Sequence, residues 1–321
     1  MAIQVASGFH EPLETYEPLL REVAELGANT VLLTTPAYME HARSQSVYLD
    51  LRKVPPPADY QAIVRKARDL GLRPFIMPMV LLRNPRGSEW RGVIEPPDWD
   101  DWWQQYTEVV TYFADIAREA GAEGLLVGSE LVSTEKYTRR WEEVIARARK
   151  HFHGGKLGYS ANWDHYRPIE FWDKLDFVGM TSYNKLAEER NPTVEEIVAR
   201  WEPIKRDVLA WQRSVGKPIL MTEVGWCSQE GAAMAPWNYY QNQVATPAGH
   251  EEQRNLYEAF IRVWGDVPEL MGTIWWEWDR SPGGADDFGY TPRGKPAEKV
   301  LREYFRTEPA GGRTNSTRNA P

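Results

Sequence analysis

The chain has 321 residues, 42% hydrophobic and 26% charged, the balance of a folded globular protein with a sizeable core. A formal net charge of −8 argues against nucleic acid as a partner, because phosphate-backbone binding rests on a basic surface. No apolar run approaches the roughly 20 residues that cross a bilayer, and the single cysteine, Cys227, excludes an internal disulfide.

The chain opens with "IQVASGF", which reads as a strand and not as a charged segment followed by a hydrophobic leader. Two expectations fit that opening: a cytoplasmic protein, or an exported one whose leader has been removed. From there one unit recurs, an amphipathic helix, a glycine, one to three residues and an apolar strand. It stands at "ELGANTVLLTTP", "DLGLRPFIMPMV", "EAGAEGLLVGSE", "HGGKLGYSANWD" and "SVGKPILMTEVGW". The glycine fits a left-handed helix C-cap followed by a short loop. Tyr60, Ile63, Val64, Ala67 and Leu70 fall on one face at helical spacing. His151 and His153 fall at a helix C-terminus and read as partners of the helix dipole, not as metal ligands. Thr193 and Glu196 form a capping-box pattern ahead of a long helix that Pro203 is expected to kink or divide.

Eight apolar runs read as strands, at 3–8, 30–35, 74–81, 125–129, 157–161, 177–182, 219–222 and 273–278. Their near-continuous apolar character is that of parallel strands covered on both faces. Eight such strands alternating with helices predict an α/β fold, a single (β/α)8 TIM barrel spanning residues 1–306, with 307–321 a disordered tail. A doubly wound open sheet would carry a glycine-rich phosphate turn after its first strand, and "SGFHEP" is not one. Nothing in the sequence implies a cofactor or a metal.

In such a barrel, chemistry belongs at the C-terminal strand ends. Those ends read Phe9 and His10, Pro36, Leu82 and Arg83, Glu130, Asn162 to Asp164, Tyr183 and Asn184, Glu223, and Trp276 to Asp279. Glu130 and Glu223 hold equivalent places on the fourth and seventh strands. A carboxylate pair across an aromatic-lined cleft suits acetal hydrolysis, where one group is protonated and the other ionised. Burying two glutamates is otherwise costly. Fifteen tryptophans add to that reading, since an indole packs on the C–H face of a sugar. Trp141 and Trp211 read as core. Trp237, Tyr239 and Tyr240 in "MAPWNYYQNQ" read either as outer sugar platforms or as loop packing.

At these residues the sequence resembles the retaining glycoside hydrolases of clan A. It is most similar to glycoside hydrolase family 113, whose described members are chiefly endo-β-1,4-mannanases. The likeness is carried by "EWRG" (89–92), "GLLVGSEL" (124–131), "LGYSANWDHYRPIEFWDKLDFVGMTSYNKL" (157–186), "KPILMTEVGW" (217–226) and "GTIWWEWD" (272–279). It implies that Glu130 is the acid/base and Glu223 the nucleophile, with Tyr183 hydrogen-bonded to the nucleophile. It implies further that Trp276 floors the reacting subsite, ahead of a non-proline cis peptide to Glu277. Asn162, Trp163, Trp226 and Trp237 become candidate sugar contacts, and the partner becomes an oligo- or polysaccharide.

Two positions depart from the pattern. Ser129 stands where many clan members carry the asparagine that grips the sugar 2-hydroxyl. Met77 and Met79 stand beside Pro78 where polar or basic residues are expected, which passes those sugar contacts to Arg83 and Asn84. Two alternatives stay open: a transglycosylase using the same intermediate, and a non-catalytic glycan-binding barrel.

Overall fold

The computed structural model describes residues 1–6 and 11–307. The expected strand end at Ser7 and Gly8, the mouth residues Phe9 and His10, and the tail beyond Thr307 lie outside the described residues. Within them stand eight parallel strands: β1 (Ala2–Gln4), β2 (Thr30–Met39), β3 (Arg73–Leu82), β4 (Gly124–Ser129), β5 (Lys156–Ala161), β6 (Phe177–Thr181), β7 (Ile219–Val224) and β8 (Leu270–Trp275). They pair in sequence order from β1 to β8. Beyond β8, the Trp278 N–H donates to the Ala2 carbonyl at 2.8 Å and brings the last strand's extension round to the first. This is the (β/α)8 barrel that the recurring unit predicts.

Seven helices alternate with the strands among the described residues: α1 (Pro12–Leu26), α2 (Pro57–Asp69), α3 (Trp99–Ala120), α4 (Thr138–His151), α5 (Val194–Val215), α6 (Pro247–Trp264) and α7 (Pro296–Arg306). The five unit glycines, Gly27, Gly71, Gly121, Gly154 and Gly216, all take positive φ, as a left-handed helix exit requires. Thr193 and Glu196 form the capping box that opens α5. Pro203 lies inside α5 without dividing it; flanking turns buried through Trp201 and Val208 hold the helix together across the missing N–H. His151 Nδ1 donates to the Asp115 carboxylate at 3.1 Å and so belongs to the α3–α4 seam.

Period-two alternation sorts strand residues between two cores. Leu32, Phe75, Met77, Leu126, Leu220 and Ile274 pack inside the barrel. Val31, Leu33, Ile76, Leu125, Val127 and Met221 face the helices. The two methionines in place of polar residues, Met77 and Met79, thus belong to the inner packing. Pro36 is not a strand end, because β2 runs on to Met39 against β3, with Pro36 opposite Met79. The extension is held from its other side by reciprocal backbone bonds between Tyr38 and Tyr48.

The ends of β7 and β8 touch through backbone. A Cβ on Gly225 would lie 2.0 Å from the Trp276 carbonyl oxygen, and the Trp276 N–H donates to the Val224 carbonyl at 2.8 Å. No side chain fits that approach. Gly225→Ala is therefore expected to destabilise the barrel by about 1–3 kcal/mol, as overpacking does. Thermal melting of the variant against the parent checks it; an unchanged melting temperature would show that the strand ends can part freely.

Candidate active site

Each of the two strands carrying the candidate glutamates contains one extra residue just before its carboxylate. Along β4–β5 the pairing runs Leu126 with Gly158 and then Ser129 with Ser160. Along β6–β7 it runs Met180 with Met221 and then Thr181 with Glu223. Such bulges re-aim side chains and collect beside active sites. On β7 the effect can be traced directly: Leu220 packs inside the barrel, Met221 and Val224 outside. Strict alternation would send Glu223 outward with Met221. The extra residue breaks that phase and leaves the carboxylate at the mouth, where the Tyr183 hydroxyl donates to its Oε2 at 2.9 Å.

Glu130 follows β4 in a left-handed conformation, φ 52°, which residues with a Cβ seldom adopt. Its N–H donates to the Ser160 carbonyl at 2.8 Å, and the next N–H, of Leu131, donates to the Tyr159 hydroxyl at 2.9 Å. These bonds fix the turn. The Glu130 carboxylate is buried and fully engaged. Its Oε1 accepts from the Thr181 hydroxyl at 2.8 Å and its Oε2 from Arg91 Nη2 at 2.5 Å. Thr181 is the join between the two glutamates, its backbone in register with Glu223 and its hydroxyl on Glu130. The Trp163 N–H donates to that same hydroxyl oxygen at 3.1 Å, which turns the threonine proton toward Glu130.

The surroundings of the pair are unequal. Glu130 has a cation, while Glu223 has only the Tyr183 hydroxyl, and its Oε1 is buried without a partner among the described residues. Burial first, and then the charge of Glu130, push the Glu223 carboxyl from its ordinary 4.5 up to about 8. The Tyr183 phenol is held well above its ordinary range by burial and by the charge of Glu223, so it stays protonated and donates. Burial also pushes Glu277 up to about 7, where Gln4 donates to it at 2.6 Å, and Glu135 up to about 7, where the Tyr159 hydroxyl donates at 2.7 Å.

The other candidate residues scatter in position. Ser129 is buried, its hydroxyl without a partner among the described residues. Trp276 stands at the upper edge of the inner core, 9% exposed, and the Trp276–Glu277 peptide is cis. Trp163 and Trp237 stack with centroids 5.8 Å apart and planes within 16°, joining the β5 and β7 loops. Trp237 is half exposed and Tyr240 largely exposed, whereas Tyr239 packs on Phe288 and Tyr290. Asn162 donates to Asp164 at 2.8 Å. Arg83 is drawn away toward β2, bonded to Asp50 at 3.2 Å and lying over Tyr38, and Asn84 bonds Glu40.

Trp226 requires a correction. It is fully buried against Tyr257 and Phe260 of α6, so its indole presents no face to a sugar. One residue past Gly225, it has turned to the helix side, where its carbonyl accepts from Gln253 at 2.8 Å. Two residues escaped the sequence reading: Thr181, an ordinary strand threonine, and Arg91, which lay within "EWRG" but whose direction only the folded loop reveals.

A nearly closed ring of parallel strands with unequal carboxylates at the ends of β4 and β7 is the arrangement that suits a glycoside hydrolase of the barrel type. The model of Glycoside Hydrolase Family 113 matches residues 8–294, and the chain belongs to that family. A β-mannanase, AaManA of Alicyclobacillus acidocaldarius, superposes with a TM-score of 0.83 at 25% identity, over 95% of this chain and 96% of that one. A family 113 β-1,4-mannanase solved as a complex superposes at 0.84 with 22% identity, over 96% and 98%. A family 5 mannosidase from Rhizomucor miehei shares the fold at 0.57 with 11% identity, over 91% and 87%. No curated protein matches the chain.

A carboxyl whose folded-state pKa is raised prefers the neutral form in the fold, so ionising it works against folding. The penalty is absent below about pH 4.5, grows as pH rises toward about 8, and is constant above that. Glu223→Gln is therefore expected to melt higher than the parent by roughly 2–5 °C at pH 8, with the difference vanishing near pH 4. Melting curves of both proteins across that range check it; a pH-independent difference would contradict the raised carboxyl.

Proposed function

We propose that the protein is a retaining endo-β-1,4-mannanase working by double displacement. Glu223 attacks the anomeric carbon as the C1–O bond to the departing sugar breaks, and Glu130 delivers its proton to that oxygen. Glu130 then takes a proton from water as the water displaces Glu223 from C1, which restores both groups and preserves the anomeric configuration. Tyr183 donates to one oxygen of the nucleophile and leaves Oε1 to react. Thr181 keeps Glu130 beside it. The observation that carries this reading is the Thr181 link, which ties two buried carboxylates in different electrostatic settings to one place at the mouth.

Mannan as substrate is supported by the β-1,4-mannanases among the structural relatives. Ser129, Asn162, Trp163, Trp276 and Trp237 are the proposed sugar contacts. Trp237 belongs to an exposed outer platform, which suits a chain longer than the reacting unit.

Activity is expected on β-1,4-mannan and glucomannan in a panel that includes β-glucan, xylan and galactan. Proton NMR of the first product should show retained β configuration. Glu223→Ala and Glu130→Ala should each lower kcat at least 10³-fold on mannan, the scale set by losing a nucleophile or acid/base partner. An inverted first product would remove the double displacement. Transfer products without net hydrolysis would select a transglycosylase, and binding without cleavage a glycan-binding barrel.

A further inference from the structure

We propose that Arg91 is a substrate-displaced latch on Glu130: in the empty cleft its guanidinium occupies the acid/base, and sugar entering the cleft draws it off. The proposal rests on the assignment of Glu130 and Glu223 made above.

The geometry points to a mobile counter-charge between fixed carboxylates. Both glutamates lie at the ends of strands, whereas Arg91 is carried on a short 3-10 turn, Arg91–Val93, in the loop between β3 and α3. A Cβ on Gly92 would fall 2.2 Å from the Trp90 ring, so the indole folds over the glycine backbone beside Arg91. The loop is pinned on both sides. The Glu89 carboxylate accepts from the Ala42 and Arg86 N–H groups at 3.1 and 3.0 Å, and the Ser133 hydroxyl, just past Glu130, donates to the Ile94 carbonyl at 2.7 Å. Arg91 therefore stays within reach of the pair, with the Glu130 bond at the far end of a long side chain.

The guanidinium is only partly satisfied. One Nη2 bond at 2.5 Å goes to Glu130, while Nε is buried with no partner among the described residues. Charges facing it are Glu130 and Glu223 from β4 and β7, with the phenols of Tyr183 and Tyr159 behind them. Glu135 lies beyond Glu130, and Glu277 beyond Glu223. This arrangement conflicts with the first chemical step. Both Glu130 oxygens already accept, Oε1 from Thr181 and Oε2 from Arg91, so neither is free to hand a proton to a leaving group, while burial and then the charge of Glu130 push Glu223 up to about 8. Double displacement needs the reverse, a proton on Glu130 and none on Glu223.

Displacement of Arg91 resolves the conflict without any net gain of protons. A sugar in the cleft takes the space beside Glu130 Oε2 and offers hydroxyl acceptors to Arg91, including its idle Nε. Glu130 loses its cation and takes up a proton. Glu223 gives one up as the negative charge of Glu130, which raises its pKa, disappears. The reactive proton arrangement then forms only with substrate bound.

The test compares pH profiles of kcat/KM, which report the free enzyme, with those of kcat, which report the complex. Parent, R91M and R91K are assayed on β-1,4-mannohexaose. In R91M the limbs of kcat/KM are expected to move up by at least one pH unit while those of kcat stay within about 0.3, because the latch is already off in the complex. R91K, keeping the charge but losing the fork, should fall between; it also reads the same split should R91M fail to fold. Equal movement of both profiles, or of neither, overturns the proposal, since Arg91 would then be a permanent partner or a spectator. Should no glycan be cut, the hydrolase reading fails. Carbon-13 carboxyl titrations, assigned with E130Q and E223Q, then judge the latch without and with mannohexaose. A proton moving from Glu223 to Glu130 on binding supports it, and a proton that stays on Glu223 overturns it.

Discussion

Two carboxylates and one guanidinium share a space at the barrel mouth from which water is largely excluded, and the surrounding structure is arranged around that confinement. Arg91 and Glu130 expose only 16% and 8% of their side chains. In such a setting charges interact far more strongly than in water. Three groups carrying two negative charges and one positive charge cannot all be satisfied at once. Glu223 makes no hydrogen bond to the guanidinium, and burial first, then the charge of Glu130, raise its pKa. A site of this kind works against stability and in favour of reactivity, as functional sites often do.

The scaffold tolerates that strain because the groups around it are fixed. Ser160 and Thr222 hydroxyls bond at 2.6 Å behind the glutamate-bearing strand ends, and Thr181 carries the connection across to Glu130. The loop after β7 is gathered by Glu252, whose buried carboxylate accepts from the N–H groups of Asn191, Gly231 and Ala233. The loop after β8 is held by Lys295, which donates to Asp287 and Ser228. Asp287 therefore acts as a loop anchor. These buried polar contacts position the rim that carries Trp237, and the Trp163–Trp237 stack ties that rim back to β5. Rigid elements supporting a reactive centre from several sides is the arrangement that preorganised catalysis requires.

The barrel itself was legible in the chain. Apolar runs, glycine exits and amphipathic helices are local signals, each set by backbone sterics and side-chain burial within about ten residues. They placed all eight strands and identified Glu130 and Glu223 as strand-end carboxylates. Errors came where neighbouring elements decide the outcome. Pro36 lies mid-strand because β3 and Tyr48 extend the pairing around it. Trp226 is core because α6 lies across it. Arg83 is diverted by Asp50, a residue far away in sequence.

Sequence by itself determined the number and order of strands, the helical faces, and which residue types stand at the mouth, because these follow from short-range periodicity. Tertiary structure alone decided where those residues point. The extra residue in β4 and in β7 exists only relative to the register of the adjoining strand, and a shift of one residue reverses a side chain's direction. The pairing of Arg91 with Glu130 likewise depends on a loop from one strand end crossing to another. Charge compensation between groups far apart in the chain has no local signature.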